Sequence, residues 1–117
     1  MPDPQPRTVL ALVRDLIFAS RISASARTAK IDCKIIRDAG LLEGQPGDLL
    51  LVDLNEPGFL KAAADWQRAH SRPAVGFVSH VDIERIDRAR AAGLTKVMAR
   101  SGFVEALPSL LSQLHNE

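Results

Sequence analysis

Four polar side chains follow apolar runs and could work together. Asp15 comes just after the run at 8–13, Asp53 closes the run at 48–53, Ser79 closes the run at 74–79, and Arg100 follows the run at 95–99. Two converging carboxylates can hold Mg²⁺, which takes one or two carboxylates, a carbonyl and waters. A serine hydroxyl can bond to a phosphoryl oxygen, and a guanidinium can pair with a carboxylate or a phosphate. Each residue also has a plainer reading. Asp15 can cap the helix that starts at Leu16, and Asp53 can open a turn. Ser79 can be an ordinary strand-end serine, and Arg100 a solvated one.

The elements that must position these residues read clearly. Short runs rich in Leu, Val, Ile and Ala predict strands over 8–13, 33–36, 48–53, 74–79 and 95–99. Between them, helical spacing predicts helices over 16–30, 59–70 and 81–92, with a last one over 103–114. Pro73 stops the second of these helices and Gly93 caps the third. Strands alternating with helices predict an α/β fold: a doubly wound, five-stranded parallel sheet of the flavodoxin-like kind. In such sheets a ligand sits beyond the carboxyl ends of the strands, where all four residues lie. The connection from Ile36 to Asp48 holds three glycines and a proline, so the second helix is expected to be short or missing.

Composition narrows the function classes. The chain has 117 residues, room for one domain, expected over 8–117 behind an extended Pro-rich leader at 1–7. A formal net charge of +1 gives no argument for nucleic acid or an anionic membrane. The basic residues Arg21, Arg27 and Lys30 read as a solvated helix face. Cys33 is the single cysteine and reads as an inert thiol. No signal peptide or membrane span is readable, so the expected location is cytoplasmic. No GxSxG, GxGxxG or phosphate-loop lysine motif is present, and His70, His80 and His115 lack ligand spacing, so no enzyme is expected.

The stretch DLLLVDLNEPG at 48–58 resembles the third-strand signature of response-regulator receiver domains, the CheY-like family. RPAVGFVS at 72–79 resembles the family's fourth strand, and Ala92-Gly93 the close of its fourth helix. The resemblance covers essentially 8–114. It implies that Asp53 is the phospho-acceptor and Asn55 the metal-binding carbonyl, with Ser79 at the Ser/Thr position and Asp15 as a metal ligand. It also implies a histidine kinase or a signalling target as protein partner, and it allows a homodimer. Its usual contact face carries Ile83, Ile86 and Val97 here.

The departures from the pattern fall on the same site. Two adjacent acids are expected after the first strand, and the chain has Arg14-Asp15. A Lys-Pro pair is expected after the fifth strand, and the chain has Arg100-Ser101. Val97 stands where a switchable aromatic belongs. Phosphoryl transfer to an Asp rests on positioning and on neutralising charge with Mg²⁺ and a cation. Arg14 puts a fixed cation where a carboxylate should help hold the metal, which disables the site and makes Mg²⁺ binding weak. Arg14 is expected to pair with Asp53 instead. The sequence therefore reads as a stand-alone, atypical receiver domain in signal transduction, a protein-interaction module with a degraded phosphorylation site. The alternative is a working Mg²⁺-dependent receiver in a two-component phosphorelay, phosphorylated on Asp53.

Overall fold

A computed structural model describes residues 7–79 and 82–116, without the side chains of residues 115 and 116. The leader expected over 1–7 lies outside the described residues except for Arg7, as do His80 and Val81.

Five parallel strands are observed: β1 (Thr8–Leu12), β2 (Asp32–Ile36), β3 (Leu49–Asp53), β4 (Ala74–Val78) and β5 (Lys96–Ala99). They lie in the order β2-β1-β3-β4-β5, so the connection reverses direction after β2. This is the flavodoxin-like winding, and its switch point falls between β1 and β3. Register places Leu12 beside Val52, and Asp53 beside Phe77. The carboxyl ends of β1, β3 and β4 therefore open side by side.

Four helices pack on the sheet: α1 (Leu16–Thr28), α2 (Phe59–His70), α3 (Ile83–Ala91) and α4 (Arg100–Ser112). The sheet separates two apolar layers. Phe18, Ile22 and Ala26 of α1, at four-residue spacing, bury one face with Phe103, Leu107 and Leu111 of α4. Phe59, Ala63 and Trp66 of α2 and Ala89 of α3 cover the other. The inner strands are buried on both faces, which is why they read as unbroken apolar runs.

The β2–β3 crossover holds only a single turn of 3-10 helix, Ala39–Leu41, capped by the Asp38 side chain on Gly40 N. Leu42 is buried below it in the layer that holds Leu10, Leu12 and Ile36, and Ala39 packs against the same layer. The missing helix follows from the composition of this stretch. The last helix departs from expectation in the other direction. It begins at Arg100, not Phe103, after Ala99 in an extended conformation. Arg100, which follows the run at 95–99, is therefore the first residue of α4. Gly93 closes α3 with φ of 93°, and its N–H bonds to Arg90 O while Leu94 N bonds to Ala89 O.

Candidate functional site

Asp15 is fastened by both carboxylate oxygens. Oδ1 accepts from Ile17 N at 3.0 Å and Phe18 N at 3.2 Å, capping α1. Oδ2 accepts from Arg100 Nη2 at 3.2 Å. The Phe18 N–H, then the Arg100 guanidinium, holds the Asp15 carboxyl below the usual value of 3.8. Arg100 also lies over the Phe18 ring, its Cζ 4.1 Å from the centroid. Phe18 is itself fixed against Phe77 and Phe103, at 4.9 and 5.9 Å between centroids. The guanidinium is thus held from two sides.

Asp53 ends β3 half-buried. Its Oδ1 accepts from Asn55 N at 2.9 Å and from Asn55 Nδ2 at 2.7 Å. The Asn55 side chain also bridges to other elements. Its Oδ1 accepts from Ser79 N at 3.2 Å, just past β4, and from Arg85 Nη1 of α3 at 3.4 Å. Arg85 donates in addition to Leu54 O and pairs with Asp82, whose side chain caps α3 on Arg85 N.

The sequence-derived residues therefore fall into two groups. Asp53, Asn55 and Ser79 form one network, and Asp15 with Arg100 forms another. Ser79 and Arg100 line one surface cavity of about 610 Å³ with Ile17, Phe18, Arg21 and Ser101. Among the described residues no hydrogen bond or ion pair joins Asp53 to either arginine. Arg14 is exposed, and only its carbonyl is engaged, by Arg37 Nη2 at 3.4 Å. The expected Arg14–Asp53 pair is replaced by the two bonds from Asn55, which sits closer along the chain and donates from backbone and side chain at once.

The expected contact face needs correction at Val97. It is 9% exposed and belongs to the core layer under α3, so it offers a partner nothing. Ile86 is half-buried against the same layer, and Ile83, 70% exposed, stands clear in the first turn of α3. Leu16 and Ile17 are exposed at the start of α1.

Sequence reasoning missed Phe18, Arg85 and Gly76. Nothing in local spacing says that Arg85 will reach back thirty residues, or that Phe18 will lie under Arg100. Gly76 did carry a signal, as a glycine inside a buried strand marks a close approach. A Cβ there would meet Leu54 Cδ1 at 2.6 Å and Cγ at 2.9 Å. Its absence lets Leu54 tuck against β4, where Leu54 N also bonds to Phe77 O at 2.9 Å. That seats the Asp53–Asn55 turn on the sheet.

No helix among the described residues is long and apolar enough to cross a membrane. Among them there is also no cluster of three or more His, Cys, Asp or Glu side chains placed to hold a metal ion. No protein-family model matches the chain. No curated protein matches it either.

Solved structures do match. A response regulator from Thermotoga maritima aligns with a TM-score of 0.78 at 13% identity, covering 97% of this chain and all of the other. The BeF3-activated DrrB receiver domain aligns with a TM-score of 0.82 at 10% identity, again over 97% and 100%. A response regulator from Burkholderia pseudomallei, with a phosphorylated aspartic acid, a calcium ion and citrate, aligns with a TM-score of 0.72 at 15% identity, over 94% of this chain and 71% of that one. With its strand order, its open switch point and these neighbours, the chain has the fold of a CheY-like response-regulator receiver domain.

Proposed function

We propose that the chain is an atypical receiver domain that serves signal transduction by binding a protein partner, without phosphorylation of Asp53. The observation that carries this reading is the closure of Asp15. Its carboxylate is committed to the start of α1 and to Arg100, and Arg100 is committed in turn to Phe18. A divalent ion would have to displace those bonds.

The remaining donors fit Mg²⁺ poorly. Asp53 already accepts two bonds from Asn55, and Arg14 adds positive charge where a second acid would help. When bound, the ion would be held by Asp15, Asp53 and the Asn55 carbonyl, and it would supply charge neutralisation at the acceptor. The partner is a protein, a histidine kinase or a signalling target, met in the cytoplasm. The domain itself catalyses no reaction in this reading.

A working phospho-acceptor is the second reading. It is favoured by the half-buried Asp53 at the switch point, linked through Asn55 to Ser79 N, and by the phosphorylated aspartic acid named in the Burkholderia pseudomallei neighbour.

Mg²⁺ titration followed by Trp66 fluorescence or amide NMR shifts, with and without acetyl phosphate, separates the two. The wild type is expected to show no saturation below ~10 mM Mg²⁺, since weak carboxylate-poor sites bind at millimolar levels or worse. Sub-millimolar binding with a covalent adduct that Asp53→Asn abolishes would make the chain a working response regulator.

A further inference from the structure

We infer that β2 is a self-complementary edge through which two copies of the chain pair antiparallel about Cys33. The inference stands whether or not Asp53 accepts phosphate. Among the described residues, β2 pairs only with β1. Asp32 N bonds to Arg7 O, and Ile36 O accepts from Val13 N, each at 3.0 Å. Because successive residues of a strand direct their backbone groups to opposite sides, residues 32, 34 and 36 face β1. Cys33 and Ile35 turn theirs to the open edge. The edge is not walled off: an open depression of about 460 Å³ runs beside it, lined by Ser23, Arg27, Lys30 and Asp32.

Charge selects the partner and the register. Outward groups must meet outward groups, which leaves two-fold axes at Cys33, Lys34 or Ile35. An axis at Lys34 sets that ammonium against its own copy. An axis at Ile35 sets Asp32 against Asp38 of the second copy. Only the axis at Cys33 places Asp32 opposite Lys34 twice over, on a face where both side chains are exposed and Lys34 Nζ also donates to Gln45 Oε1 of the crossover at 2.6 Å. Directly opposed unlike charges stabilise an antiparallel pair, and like charges oppose it. The same two residues that guard the edge against other strands thus admit one partner, a second copy of this chain. The product is a continuous ten-stranded sheet. Its interface is small, so it dissociates on dilution.

Sedimentation equilibrium of the full chain across a wide concentration range at low salt tests this. The wild type should show a reversible monomer–dimer equilibrium. Lys34→Asp and Asp32→Lys should each weaken it about tenfold or more, because each turns two attractive pairs into repulsive ones. The double swap D32K/K34D should restore the wild-type constant, which also shows that the single variants were not merely unfolded. Copper-phenanthroline oxidation supplies a second readout. Facing cysteines in a hydrogen-bonded pair sit about 5.5 Å apart at Cα, within disulfide span. The oxidant takes two electrons and two protons are released as the two thiols join. A covalent dimer should form in the wild type and not in K34D or Cys33→Ser. A monomer at every concentration, or a dimer indifferent to both single substitutions, overturns the inference.

Discussion

Asp15 meets three donors, and each leaves a separate mark. The Phe18 and Ile17 amides act through helix capping, while Arg100 acts first through its side-chain hydrogen bond and then through its charge. Arg100→Gln removes only the last. Carboxyl NMR titration should then show the Asp15 pKa moving back up toward 3.8 without reaching it, since the cap remains. A carboxyl whose pKa is lower folded than unfolded stabilises the fold above its unfolded value. That contribution is lost as pH falls through the folded one. The acid side of the stability profile, below pH 3.8, should accordingly be shallower in Arg100→Gln than in the wild type. Arg14→Asp works the other way on the site. It restores a second acid and removes a cation, so Mg²⁺ affinity should rise by about tenfold or more in the same fluorescence titration. Of these residues, Asp15, Asp53 and Ser79 could be picked out from the sequence, because each stands at the end of an apolar run, and Asn55 through the resemblance of 48–58. Their partners could not. The Phe18 ring under Arg100 and the reach of Arg85 to Asn55 depend on how helices dock, and periodicity carries no information on that.

At the scale of elements, the contact between β3 and β4 deserves a direct test through Gly76. Adding one methyl there drives it into Leu54 Cγ and Cδ1 and crowds Leu94 Cδ1, 3.2 Å away. Gly76→Ala should cost about 1–3 kcal/mol in urea unfolding, with an unchanged m-value. Because Leu54 sits between Asp53 and Asn55, the same variant should shift the amide resonances of Asn55 and Ser79. A substitution of equal size at Ala74, in the same strand, lacks that path to the site. Strands and helices were largely legible in the sequence, since buried parallel strands and one-sided helices leave different periods. The start of α4 was the exception. Ser101 and Gly102 are weak helix formers, and the first turn of α4 is held by the side chain of Arg100 reaching back to Asp15 and Phe18.

For the whole molecule, the bare crossover at 37–48 means that the domain is unevenly defended. The inner strands have neighbours on both sides and helices on both faces. Among the described residues, the limb made of β2 and the crossover has one strand neighbour, α1 on one face, and on the other Leu42 and Ala39 with the Trp66 Nε1–Gln45 O bond of 2.8 Å to α2. Units with few buried contacts open locally long before the fold as a whole gives way. In native-state hydrogen exchange the amides of 31–47 should therefore exchange faster than those of β1, β3 and β4. Trypsin should make its first internal cut at Lys34 or Arg37. A molecule built this way keeps the strands around Asp53 intact while its flank breathes. Concentrating the sample should slow exchange at Cys33 and Ile35 alone, as the loosest margin of the monomer acquires the protection of an interior strand.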